Sequence, residues 1–185
     1  MVRIAVVAGS TRPGRRGREV ADWVLRRAAE HGGAEFGMLD VADYDLPLMD
    51  EPLPPSRGRY QHDHTKRWAA AVKDFDGYIF VTAEYNHSVP AALKNALDYL
   101  YAEWNNKAAA FVSYGSAGGV RAVENLRLIA GELQMADVRA QVALTFAADF
   151  RDYTAFTPSE GAEQALQRLF GQIIPWSTAL QTLRT

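Results

Sequence analysis

The sequence predicts an α/β protein of one domain spanning residues 1–185, with a doubly wound, five-stranded parallel sheet and helices on both faces. Three observations carry that expectation. Short apolar runs alternate along the chain with longer segments of helical spacing, the pattern of a helix-covered parallel sheet. The runs are mostly unalternating, as strands buried on both faces are. A glycine or polar loop follows most of the runs. Right-handed crossovers then leave only a few strand orders.

The first run, Ile4–Ala8, enters a glycine loop and reads as a buried strand. It has neither the basic start nor the small-residue cleavage pattern of a signal peptide. A helix is expected over Gly17–His31, ended by Gly32-Gly33 as a glycine cap would end it. The second strand is placed at Ala34–Leu39. The long Val41–Arg59 piece, with prolines at 47, 52, 54 and 55, is expected to be irregular. A helix over Tyr60–Phe75 precedes a strand at Tyr78–Ala83. Ser88-Val89-Pro90 offers a cap and first turn for a helix over Pro90–Tyr101. A strand at Ala108–Ser113, a helix at Val120–Gln134 and a strand at Val138–Phe146 follow. The last helix runs from Ser159 towards the C-terminus, opened by Thr157-Pro158-Ser159-Glu160.

Composition narrows the function classes. With 48% hydrophobic and 23% charged residues the chain is too apolar to remain disordered. A net charge of −2 argues against nucleic-acid or membrane partners held by bulk charge, and against a strongly acidic electron carrier. The absence of cysteine excludes disulfides, thiolate zinc sites and a cysteine nucleophile. No apolar run approaches the ~20 residues that span a bilayer. A soluble cytoplasmic protein is the expectation.

Ligands of open α/β sheets bind beyond the carboxyl ends of the strands. After the first strand stands Gly9-Ser10-Thr11-Arg12-Pro13-Gly14-Arg15-Arg16-Gly17, entering a helix. Hydroxyls, glycines and three arginines at a helix N-terminus form an anion site, since free amides and the dipole favour phosphate. The arginines add forked, charge-assisted bonds. Neither the Gly-x-x-x-x-Gly-Lys-Ser/Thr loop nor Gly-x-Gly-x-x-Gly occurs here. A single phosphate on a doubly wound sheet fits flavin mononucleotide, FMN.

Two further loops carry a resemblance. Glu84-Tyr85-Asn86-His87-Ser88-Val89-Pro90 continues into Ala91-Ala92-Leu93-Lys94-Asn95-Ala96-Leu97-Asp98, and the fourth strand ends in Ser113-Tyr114-Gly115-Ser116-Ala117-Gly118-Gly119. With the Gly-Ser-Thr-Arg loop, and in this order and spacing, they resemble the NAD(P)H-dependent FMN reductases of flavodoxin-like fold, over about residues 3–145. The Glu84–Asp98 stretch is the most specific element. The resemblance implies that Ser10, Thr11, Arg12, Arg15, Arg16 and Gly17 hold the FMN phosphate. It assigns Ala83, Glu84, Tyr85 and Asn86 to the loop along the isoalloxazine, and Ser113, Tyr114 and Gly115 to a third contact loop. Many relatives have proline where Ala83 stands, and serine and asparagine at the positions of Arg15 and Gly17.

The implied activity is FMN-dependent reduction of small acceptors such as flavins, quinones or azo compounds by NADPH or NADH. Both substrates would use one site alternately, in ping-pong fashion. A flavodoxin-type electron carrier or a non-catalytic FMN-binding partner protein is the alternative. Glu84 is read as a turn cap, Tyr85 as pocket lining and His87 as solvated, so no side chain is assigned as an acid or base. His62 and His64 around Asp63 are too few for a metal site. Leu93, Ala96, Leu97 and Leu100 form a stripe that suits a core. Tyr101 and Trp104 are expected at an interface on the carboxyl side of the sheet, in a homodimer or dimer of dimers.

Overall fold

The computed structural model describes residues 1–184. Five parallel strands, β1 (Arg3–Ala8), β2 (Glu35–Asp40), β3 (Gly77–Ala83), β4 (Ala108–Gly115) and β5 (Ala136–Thr145), pair in the order β2-β1-β3-β4-β5. This is the flavodoxin-like order. Helices α1 (Gly17–His31), α2 (Asp63–Lys73), α3 (Ala91–Asp98) and α4 (Val120–Glu132) join successive strands. A four-residue helix α5 (Phe146–Asp149), a hairpin of β6 (Phe150–Arg151) and β7 (Ala155–Phe156), and α6 (Glu160–Leu180) complete the chain.

Alternate residues of the central strands feed two cores, because successive side chains of a strand point to opposite faces. Ile4, Val6, Ile79, Val81, Ala110 and Val112 pack with Val20 and Val24 of α1 and Leu166 and Phe170 of α6. Ala5, Val7, Tyr78, Phe80 and Phe111 face Trp68, Leu93, Leu97, Val123 and Leu126 of α2, α3 and α4. Burial on both faces explains why these strands read as unbroken apolar runs.

Element ends follow local chemistry. Gly32, at φ 72°, closes α1 and donates its N–H to Ala28 O at 3.0 Å. Ser159 Oγ accepts from the Ala162 N–H at 3.3 Å and caps α6. The cap expected from Ser88 is absent: Pro90 occupies that position in α3, and Ser88 closes a tight turn with Tyr85 instead. The helix expected from Tyr60 begins at Asp63, because Glu51 takes the Gln61 and His62 amides and holds them in the preceding loop. That loop contains 3-10 turns at Val41–Tyr44 and Pro55–Arg57. It lies along α3, held by Asn95 to Pro47 and Met49 and by the Tyr99 hydroxyl to Asp50.

The placement of Trp104 corrects the sequence expectation. Residues 101–106 lead into β4 and so lie at the amino end of the sheet, not the carboxyl end. Trp104 is fully buried, 4.8 Å edge-on from Tyr78, with its indole N–H donated to Leu97 O at 3.2 Å. It is a core residue of one chain and makes no interface. No helix among the described residues is long and apolar enough to cross a membrane.

The same end of the sheet buries a cation. Lys107 Nζ donates to Tyr78 Oη at 2.8 Å, Lys73 O at 3.2 Å and Val72 O at 3.4 Å. Burial, with repulsion from Arg184, lowers its pKa from 10.5 to about 8. Between these values the unfolded chain binds more protons than the folded one, so stability rises as pH increases from about 8 to 10.5. Urea unfolding at pH 7.5 and 9.5 should show that rise in the wild type and a smaller one in Lys107→Met. An equal rise in both would contradict this placement of the charge.

Candidate cofactor site

The loop after β1 is shaped by one buried carboxylate. Asp40, whose side chain is fully buried at the end of β2, accepts from Arg15 Nη1 and Nη2 at 2.6 and 2.7 Å. Arg18 Nη1 and the Ala42 N–H complete its shell, each at 3.1 Å. Arg15 Nη1 also donates to Ser10 O at 2.5 Å, and the Arg15 N–H closes a turn on Arg12 O. Gly9 sits tightly against β3 and α3, where a Cβ would lie 2.8 Å from Leu93 Cδ2 and 3.1 Å from Val81 O.

With Arg15 committed, Arg12 and Arg16 remain. Neither guanidinium has a hydrogen bond or ion pair among the described residues. Arg16 occupies the N-cap position of α1 and no side chain caps that helix, so its first amides stay open. Two unpaired arginines beside open helix amides match a phosphate dianion.

The β3 loop turns sharply. Tyr85 and Ser88 exchange backbone bonds of 2.9 and 3.0 Å around Asn86 and His87, at φ 50° and 66°. Positive φ at both central residues is the type I′ turn, which asparagine tolerates well. Glu84 Oε2 accepts the Arg121 N–H at 3.2 Å at the start of α4, and Glu84 Oε1 pairs with the Arg121 guanidinium. Burial alone would raise the Glu84 pKa, but the Arg121 bonds and charge and the α4 amides bring it below the ordinary range. Arg121 Nη1 donates to His87 Nε2 at 2.9 Å.

In the β4 loop, Ser113 Oγ is buried and donates to Gly118 O at 2.6 Å. Gly119, at φ 71°, has no room for a Cβ, which would lie 2.8 Å from Ser113 Cβ and 2.9 Å from Tyr114 N. Tyr114 packs beneath the start of α1. A Cβ on Gly17 would come within 2.8 Å of its hydroxyl, which explains glycine at that position. Burial raises the Tyr114 pKa to about 12.

These loops enclose a cavity of about 390 Å³ at the carboxyl end of the sheet. Of the expected site residues, Arg12, Arg15, Arg16, Ala83, Glu84, Tyr85, Tyr114 and Gly115 line it. Ser10, Thr11, Gly17, Asn86 and Ser113 do not. Ser10 Oγ is buried against Tyr85 Oη at 3.1 Å, and Thr11 faces a smaller cavity beside Asp45 and Asn95. Gly14, Ser116, Phe146 and Tyr153 also line the cavity and escape the motif reading. The carboxyl-end rule, applied to the fifth strand as well, points to the last two. A larger cavity, about 540 Å³, opens at the amino end of the sheet. Its Lys107 and Asp76 are already satisfied by protein groups, and it lacks the two arginines at a helix start that mark the carboxyl-end cavity.

A parallel sheet in this order, with an anion loop after β1 and a cavity across several strand ends, defines a flavodoxin-like mononucleotide-binding protein. The residues fit FMN: the unpaired arginines suit its phosphate, and the volume lies in the usual range for cofactor sites. The family model described as NADPH-dependent FMN reductase matches residues 2–149, and the chain belongs to that family. An NAD(P)H-dependent FMN reductase of Nectria sp is 36% identical over 175 residues, covering 89% of this chain and 86% of that protein. One from Schizosaccharomyces pombe is 39% identical over 149 residues, covering 80% and 74%. In fold, the chain is similar to FerB, a flavoenzyme NAD(P)H:(acceptor) oxidoreductase from Paracoccus denitrificans. That likeness has a TM-score of 0.75 at 23% identity and covers 97% of this chain and 98% of that one. Family membership makes the chain an oxidoreductase that works with FMN and a reduced nicotinamide nucleotide.

Arg15→Ala should lower stability by ~1.5–3 kcal/mol, the usual loss for hydrogen bonds to a charged group. Urea unfolding measures it. An unchanged midpoint would show that Asp40 does not depend on this partner.

Proposed function

We propose that the chain reduces small acceptors such as flavins, quinones or azo compounds at the expense of NADPH or NADH, in a ping-pong cycle. The observation that carries this reading is the pair of unpaired arginines, Arg12 and Arg16, facing one cavity at the uncapped start of α1. FMN, when bound, supplies the chemistry by accepting a hydride from the nicotinamide and passing electrons to the acceptor.

The chain's own groups bind and orient. Arg12 and Arg16 take the phosphate, while the Arg15 guanidinium, at the cavity wall, is committed to Asp40 and holds the loop. Glu84 is committed to Arg121 and the α4 amides, and His87 Nε2 accepts from Arg121, so neither is poised to move a proton. Donor and acceptor then occupy the same place in the FMN cavity in turn.

The same reading includes a homodimer. Leu48 is 82% exposed, and the exposed Met49 and Leu53 neighbour it on the loop along α3. Apolar groups grouped in this way suit contact with a second copy. Sedimentation velocity should show a dimer that Leu48→Asp shifts toward monomer. A wild-type monomer at micromolar concentration would contradict this part.

Flavin titration and steady-state kinetics test the central reading. Arg12→Ala and Arg16→Ala should each weaken FMN binding by ~1.5–3 kcal/mol, the value of a charged hydrogen bond. Double-reciprocal plots against NADPH at several quinone concentrations should be parallel. Converging lines would remove the ping-pong scheme, and unchanged FMN affinity in both variants would remove the phosphate assignment.

A further inference from the structure

The family match ends at residue 149, and the segment that follows contributes Tyr153 to the cavity lining. Asp149 is buried, and its carboxylate ties both ends of this segment. Oδ2 accepts from the Thr145 N–H at 2.9 Å and Oδ1 from the Ser159 N–H at 3.0 Å. The hairpin stands on an aromatic base. Phe150 lies 5.2 Å from both Phe146 and Phe156, and Phe156 lies edge-on to Trp23 at 5.4 Å. Its turn places Asp152 and Tyr153 at φ 52° and 56°, a left-handed conformation that non-glycine residues adopt at a cost.

This construction presents one side chain. Tyr153 is 70% exposed and lines the cavity. Among the described residues its side chain makes no hydrogen bond and no ring packs against it. The charge of a phosphate is already met by Arg12 and Arg16, and an aromatic face beside a cofactor cavity is suited to a flat ring.

We propose that Tyr153 stacks on the isoalloxazine ring of bound FMN, a cofactor contact supplied by a hairpin beyond the family-wide part of the chain. This rests on the FMN reading above. The hairpin base holds the backbone that carries the tyrosine, so only the side chain itself is ordered on binding.

Flavin-free protein titrated with FMN and with riboflavin, followed by quenching of flavin fluorescence, tests the assignment. Tyr153→Ala should weaken both flavins by the same factor, roughly tenfold, because ring stacking ignores the phosphate. Tyr153→Phe should bind both as the wild type does, and thermal unfolding of both variants should be unchanged. Equal binding of both flavins by wild type and Tyr153→Ala would overturn the proposal while leaving FMN binding intact. A loss confined to FMN would place the residue on the phosphate, and a loss shared by Tyr153→Phe would make the hydroxyl rather than the ring the contact; either would overturn it. Wild-type protein that binds neither flavin would overturn both this proposal and the reading it rests on.

Discussion

Asp40 ends β2 with a fully buried carboxylate, and a buried charge costs several kcal/mol unless partners replace the lost water. Arg15 supplies most of that replacement, reaching from the loop after β1 to the end of β2 while holding Ser10 O with the same guanidinium. The loop is thereby fixed between two strand ends before any ligand is present. Three arginines within five positions would repel one another, and this ion pair removes one of them from that conflict. The remaining two carry about the charge that balances a phosphate dianion. The rest of the cavity is arranged around this division of labour among like residues.

A second ion pair performs the corresponding task on the other side. Glu84 bridges the end of β3 to the start of α4, where the helix dipole and Arg121 both favour its ionised form. His87, in the same turn, accepts from that arginine. Tyr114, held protonated by burial, braces α1 from below. Glu84, His87 and Tyr114 therefore serve architecture, which agrees with a reaction whose chemistry belongs to the cofactor.

Much of this was legible in the sequence because burial on both sheet faces leaves a plain mark. Short apolar runs, unbroken in the central strands, located all five strands to within about two residues. The glycine C-cap and the Ser159 N-cap marked helix ends with equal clarity. The three loops that line the cavity were readable because strand ends are where this fold places ligands. What stayed hidden depended on pairing across distance. Nothing local distinguishes Arg15 from Arg12 and Arg16, since the difference lies in Asp40, far along the chain. Ser113 looks like a ligand hydroxyl until its bond to Gly118 is known, and Ser88 looks like a cap until the turn to Tyr85 is known. Trp104 misled for a similar reason: an aromatic after a short helix suits an interface as well as a core, and its neighbours Tyr78 and Trp68 come from other elements. The β6–β7 hairpin was too short to leave a periodic signal, and its tyrosine lay beyond the segments that carry the resemblance.

The central claim is that the loop after β1 is preset, with Arg15 held on Asp40 and Arg12 and Arg16 free for a dianion. A crystal structure of the protein with FMN measures this directly through guanidinium–phosphate and guanidinium–carboxylate distances. The account predicts Arg12 and Arg16 nitrogens within about 3 Å of phosphate oxygens and Arg15 still bidentate on Asp40. A phosphate bound by Arg15 after release of Asp40, with Arg12 and Arg16 in solvent, would contradict it.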